Sequence, residues 1–277
     1  MDEVQALVRQ FDRDRYLAAL FAPEAKRPHL LALYAFHAEV ARIASLVSEP
    51  QLAEIRLQWW LDSLDCIYAG EAQAHPVAKA LTDAIKEGDI PKFALINMAR
   101  AHQFDFYSDP MPSLNDLEGY LGETAGALVR LGSMILDQDA ALQCGEAAGL
   151  AGVAYGLSQV LARLPQALGL RQCFLPKEIL GRLGLTPDNF AEPQHEEVAS
   201  TVLSEIRIAG ERRLAELHGL TGTIKPAVAP AFLHAALAAP TFAKCRRRGP
   251  KLTSRGGEIG QVVKQWVLWK AARGALF

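Results

Sequence analysis

The chain has little of what would tie it to a covalent or membrane-spanning class. Its 277 residues hold 4 cysteines. These are Cys66, Cys144, Cys173 and Cys245, too far apart for the close pairings of zinc or redox sites, so reduced thiols are expected. Net charge is small, with 29 Lys+Arg against 31 Asp+Glu, which excludes a disordered polyelectrolyte. The longest low-charge run, 226–243, is interrupted by Pro230, Pro240 and His234 and falls short of the ~20 apolar residues a membrane span needs. Met1-Asp2-Glu3 opens directly into an amphipathic pattern with neither a secretory nor a transit signature, and the expected compartment is the cytoplasm. Sustained apolar/polar alternation is missing too, so no sheet is expected.

What is present favours helices. There are 45 Ala and 39 Leu, which lose little side-chain freedom in a helix. Apolar residues at helical spacing run through Val4, Leu7, Val8, Phe11, Leu17 and Leu20 to the breaker at Pro23. Further helices are expected over 29–47, 52–69, 76–87, 91–107, 113–136 and 139–168, then briefly from Pro176, and over 196–217, 226–243 and 258–276. Stops such as Ser48-Glu49-Pro50, Gly70, Gly88 and Asp109-Pro110-Met111-Pro112 are explicit, because proline lacks the amide proton and restricts its predecessor. Ser113 reads as an N-cap. Gly145, Gly149, Gly152 and Gly156 make one helix thin enough for close approach of a neighbour or a ligand. Pro165 should kink that helix. The loop at Arg171–Leu175 separates it from Pro176, and 186–194 is the longest polar loop. No repeat or linker divides the chain, so residues 1–277 are expected to form one all-α domain, a helical bundle.

The strings Leu33-Tyr34-Ala35-Phe36, Arg56-Leu57-Gln58-Trp59-Trp60 and His75-Pro76-Val77-Ala78 resemble, in that order, the opening of the squalene/phytoene synthase family. Asp105, Leu117-Glu118-Gly119-Tyr120, Glu123-Thr124-Ala125-Gly126 and Phe174-Leu175-Pro176 continue the resemblance, which covers roughly residues 12–180. It implies an isoprenoid-synthase fold with a central cavity. Such enzymes condense two prenyl diphosphates head to head, with Mg²⁺ neutralising the diphosphate that leaves. In the family, aspartates at i and i+4, about 40° apart around a helix, supply the oxygen ligands.

In the same register this chain has Ala41, Arg42 and Ser45 at the first motif and Arg163 and Ala167 at the second. Every expected aspartate is replaced, and Arg42 and Arg163 would repel a cation. The resemblance therefore implies no catalytic residues, no metal ligands and no cofactor, with Mg²⁺ relevant only if other acids hold it. Gly152-Val153-Ala154-Tyr155-Gly156-Leu157 with Leu161-Ala162-Arg163-Leu164-Pro165 resembles the aspartate-lacking branch that contains an assembly factor of respiratory complex I.

Tyr34, His37, Ala41, Arg42, Ser45, Tyr155, Gln159, Arg163 and Ala167 are the candidate lining of a degenerate cavity. Arg42 and Arg163 either clamp an anionic head group, prenyl diphosphate or phospholipid, or reach solvent or pair with local acids such as Glu39. His37 either faces the cavity or packs, and at least one of Trp59 and Trp60 packs. Asp12, Asp14 and Arg15 read as a solvated face without chemistry.

The segment 241–277 carries nine Lys/Arg and one acid, Glu258. Arg246, Arg247, Arg248 and Lys251, beside Trp266 and Trp269 on an amphipathic helix, suggest docking on an anionic membrane surface. The other reading is attraction between this tail and the acidic body. Nucleic acid is not expected, since no aromatics interleave the basic run. The function that follows is a non-catalytic factor in biogenesis of a respiratory complex, peripheral to the inner membrane, binding a lipid-like ligand or a respiratory-complex subunit. The alternatives are an active squalene/phytoene-type condensing enzyme and a lipid carrier.

Overall fold

A computed structural model describes residues 3–47, 49–170 and 172–274. The expected breaks at Ser48 and Arg171 and the expected helix end at Leu276 lie outside them. The chain runs α1 (Glu3–Phe11), α2 (Arg13–Ala19), α3 (Arg27–Ala41), α4 (Ile43–Leu46), α5 (Pro50–Tyr68), α6 (Pro76–Gly88), α7 (Lys92–Ala101), α8 (Leu114–Leu121) and α9 (Ala127–Leu136). It continues α10 (Gln138–Gln143), α11 (Gly145–Ala162), α12 (Leu164–Gly169), α13 (Lys177–Arg182), α14 (Glu196–Gly219), α15 (Ala229–Phe232), α16 (Ala238–Arg248), α17 (Leu252–Arg255) and α18 (Gln261–Ala272). The fold is all-α; among the described residues the only β feature is an isolated bridge between Met111 and Pro176.

Helices α3 and α11 bury side chains on nearly every face, from Leu30 to Val40 and from Ala147 to Ala162. A helix apolar all round belongs in the middle of a bundle. Two apolar clusters surround them. One holds α1, α3, α5, α6 and α9; the other joins α13, α14 and α16.

Several expected continuous helices are interrupted. Asp12 ends α1 and caps α2, its side chain accepting from the Arg15 amide. Arg42 separates α3 from α4. A single π-helical turn, Gly122–Gly126, stands between α8 and α9. Arg163 separates α11 from α12, and Pro165 sits in the first turn of α12, where its missing amide proton costs nothing. The expected kink is thus a full break, and Gly257 covers it by donating its amide to the Ala162 carbonyl at 3.0 Å. Cys144 breaks the same stretch earlier, and a 3-10 segment, Leu233–Leu237, interrupts the helix expected over 226–243.

Gly152 is required by close approach. A Cβ there would lie 2.2 Å from the Gly126 amide nitrogen, so α11 and the π turn meet backbone to backbone. Ser113 caps α8 as expected, accepting from the Asp116 amide. The cysteines are free thiols, and all but Cys66 are buried.

Candidate functional site: an arginine-lined cavity

A cavity of about 520 Å³ opens between the two apolar clusters. Residues at the interruptions line its wall: Asp12, Arg42, Thr124 and Ala125 of the π turn, and Arg163. Of the expected lining residues, His37, Ala41, Arg42, Tyr155, Gln159, Arg163 and Ala167 are on the wall. Tyr34 and Ser45 are not. Tyr34 is fully buried in the apolar core, and burial raises its phenol pKa. Ser45 lies beyond the Arg42 break, exposed, with its hydroxyl donating to the Arg42 carbonyl at 2.7 Å.

The expectation of a solvated face at residues 12–15 is overturned. Asp12 is 9 % exposed, Asp14 2 % and Arg15 5 %. Asp12 and Arg15 line the cavity, joined by an Nη1–Oδ2 bond of 2.7 Å. The Arg15 guanidinium stands 5.2 Å from the centre of the Tyr155 ring. Asp14 points the other way, accepting from the Tyr155 hydroxyl at 3.0 Å and pairing with Lys264 Nζ at 3.0 Å. Alternating charges looked like a water-facing stripe, but the turn at Asp12 folds the stripe into the bundle, where a partner 250 residues away neutralises it. No local signal encodes that partner.

Arg42 pairs weakly with Glu39, at 3.5 Å, and lies 4.6 Å from the centre of the exposed Phe11 ring. Arg163 lines the cavity and is exposed. Arg42 thus meets the local acid Glu39 and also lines the cavity. Three guanidiniums therefore surround a space whose apolar wall includes Phe11, Leu121, Val160 and Phe174. Several buried polar atoms on the wall have no protein partner: Arg15 Nε, Arg42 Nε, His37 Nδ1, His102 Nε2 and Gln159 Oε1. Such groups cost free energy unless water or a ligand satisfies them.

Sequence reasoning did not find His102 and noted Asp105 and Tyr120 only for resemblance. His102 Nδ1 bonds Asp105 Oδ2 at 2.7 Å, and the Tyr120 hydroxyl donates to Asp105 Oδ1 at 2.8 Å. Burial raises the Tyr120 phenol pKa well above its ordinary value, with Asp105 adding to it. Burial, then the neighbouring His102 and Arg15, hold the His37 pKa well below its ordinary value, so that ring is neutral. The 5.2 Å between the His37 and His102 ring centres places the pair on one wall.

The donor set does not suit a hard divalent cation. Mg²⁺ wants several oxygens of net negative charge. Among the described residues Asp12 is the single carboxylate on the wall, and it is already bonded to Arg15 amid guanidiniums. Nor do the described residues contain a group of three or more His, Cys, Asp or Glu placed to hold a metal.

Trp60 packs in the core at 4 % exposure, and Trp59 is exposed. On α18, Lys264, Leu268 and Ala271 face inward while Val262, Val263, Trp266 and Trp269 face outward. Lys264 thus belongs to the interior, and the reading of a tail attracted to the body holds for that residue. Trp266 and Trp269 stack with ring centres 5.1 Å apart, and Arg273 covers Trp269. No helix of the described residues is long and apolar enough to cross a membrane.

An all-helical bundle with two buried central helices and a large cavity at their interruptions is the terpenoid-synthase architecture. A crystal structure of a dehydrosqualene synthase in complex with ligand superposes with a TM-score of 0.83 at 18% identity, covering 99% of this chain and 95% of that one. The chain belongs to the squalene/phytoene synthase family, whose sequence model matches residues 8–265. The human NADH dehydrogenase (ubiquinone) complex I, assembly factor 6 is 27% identical over 228 residues, 82% of this chain and 68% of that protein. A Drosophila melanogaster homolog of that factor is 25% identical over 277 residues, 96% of this chain and 81% of that protein.

Proposed function

We propose that this protein is a non-catalytic member of its family that holds an anionic amphiphile in the cavity without a metal and acts in assembly of respiratory complex I at a membrane surface. The observation that carries this reading is that Arg15, Arg42 and Arg163 surround a largely apolar space. Guanidiniums bind phosphate oxygens directly and bidentately, a role a bridging cation would otherwise fill. The same groups raise the cost of placing Mg²⁺ there, so ionisation of a prenyl diphosphate has no electrophile. The named assembly-factor relatives support the cellular role, and the outward Trp266–Trp269 face with Arg246, Arg247 and Lys251 supports docking on anionic lipid.

The test is incubation of the purified chain with farnesyl or geranylgeranyl diphosphate and Mg²⁺, alongside equilibrium binding with and without EDTA. No C30 or C40 product is expected, and affinity should be insensitive to EDTA. Arg42→Gln and Arg163→Gln should each weaken binding about tenfold. Turnover to product overturns the reading and favours the condensing enzyme. Loss of assembled complex I on native gels of cells lacking the protein checks the cellular half.

A further inference from the structure

We propose that a second, smaller pocket, between α14 and the end of α16, is a binding site for a terminal phosphate group, carried by a membrane lipid or free in solution. It shares no lining residue with the arginine-lined cavity, so it stands whether or not that cavity holds an amphiphile.

The pocket measures about 90 Å³ and is lined by Ser200, Leu203, Ser204, Arg207, Cys245, Arg246, Gly249 and Leu252. Ser200, Ser204 and Arg207 stand at i, i+4 and i+7, one face of α14. Gly249 ends α16 at φ +51°, a backbone that favours glycine, and the chain turns there so that Leu252 lines the same pocket as Arg246.

The donors of this pocket are uncommitted. Serine and threonine inside helices usually spend their hydroxyl on the carbonyl one turn back. Ser63, Ser133 and Thr241 do so here, at 2.7–2.8 Å. The Ser200 and Ser204 hydroxyls have no protein partner among the described residues, nor has the Arg246 guanidinium. Arg207 gives Nη1 to Glu211 at 2.6 Å and keeps its remaining donors. Among the described residues no carboxylate lines the pocket. Burial pushes the Cys245 thiol up to about 11, and the positive charges of Lys244, Arg207 and Arg248 all act against that rise, which marks the wall as electropositive.

Two hydroxyls and two guanidiniums converging on a small space match an oxyanion with several free oxygens. A terminal phosphate presents three. A phosphodiester presents two and brings a second carbon substituent for which the space has no room.

Amide-resolved NMR of the whole chain, titrated with inorganic phosphate, tests the site apart from the large cavity. Saturable shifts are expected at residues 200–207 and 246–249. The double variant Ser200→Ala, Ser204→Ala changes no charge and suits a helix, and it should weaken this binding at least about tenfold, the scale of a hydrogen bond to a charged oxygen. Absence of saturable shifts there, or the same affinity in the double variant, overturns the proposal and leaves the cavity reading untouched.

Vesicles identify the carrier. On phosphatidylcholine vesicles with phosphatidate, the double variant should partition about tenfold more weakly than the parent chain. At equal surface charge supplied by the diester phosphatidylglycerol, the two should agree within twofold. Arg246→Gln should exceed Arg247→Gln on phosphatidate, since only Arg246 lines the pocket. A response to inorganic phosphate without one to phosphatidate assigns the site to a soluble phosphate. Equal losses on both vesicle types overturn the preference for a terminal phosphate.

Discussion

Two charged stretches of this chain end in opposite places. Asp12-Arg13-Asp14-Arg15 looks like a solvated stripe, yet three of its four residues are buried, two on the cavity wall and Asp14 behind it against Lys264. The basic segment from Thr241 onward reads as a membrane-docking face or as a tail attracted to the acidic body, and there Arg246, Arg247 and Lys251 remain exposed beside outward tryptophans. The difference lies in available partners. Charges leave water only where opposite charges or polar groups replace the lost hydration. The inner stretch finds Lys264, Tyr155 and its own internal pair, whereas the outer one has a single acid, Glu258, which already bonds Lys264 at 3.0 Å.

The sharpest way to break this contrast is to unpair the inner charges. Lys264→Met leaves Asp14 buried without its cation and should cost about 3–5 kcal/mol of folding stability in urea titrations. Adding Asp14→Asn in the same chain removes the stranded charge, keeps an acceptor for Tyr155, and should recover most of the loss. A small effect of Lys264→Met would mean the Asp14 carboxylate is hydrated after all.

Acid should separate the regions next. Burial, with Arg15 adding to it, holds the His234 pKa well below its ordinary value, and His37 is held low in the same direction. Both are neutral when folded and titrate near 6.5 when unfolded, so the unfolded chain takes up protons first. The stability they contribute is present above about pH 6.5 and is lost as pH falls toward their folded values, by about 1.4 kcal/mol per unit for each histidine. His234→Phe should remove one histidine's share of that slope, read from denaturation midpoints between pH 6.5 and 5.

Much of the fold was legible because Ala, Leu and helical periodicity place most helices and proline, glycine and Ser113 place their ends. The interruptions were not. Asp12, Arg42 and the Gly122–Gly126 turn sit in sequence that reads as continuous helix, and only Pro165 announced a break. Those are the places where the wall is built, as expected where local preference yields to a site. Ala41, Arg42, Arg163 and Ala167 were found through register with a known family, not through any property of their own. His102 escaped because its significance is relational: it depends on Asp105 three residues on and on Tyr120 from another helix.

The outer stretch should yield the smallest effects and the ones most sensitive to salt. Trp266→Ala with Trp269→Ala should lower partitioning onto vesicles of phosphatidylglycerol and phosphatidylcholine by about tenfold while changing folding stability by less than about 0.5 kcal/mol, since both rings face solvent. Arg246→Gln and Arg247→Gln should each weaken the same partitioning by about 1 kcal/mol, roughly fivefold, at low ionic strength. In 0.5 M salt the arginine effects should shrink toward zero while the tryptophan effect persists, because screening removes the electrostatic part and leaves the apolar part. Arg248 is a useful control within the same triplet. It donates to the Arg255 carbonyl at 3.0 Å and is committed to holding the turn before Gly256. Arg248→Gln should therefore cost about 1 kcal/mol of stability and change partitioning less than its neighbours do. Equal partitioning losses for all three arginines would show that the segment acts as an undifferentiated charge rather than as a face with an inner and an outer side.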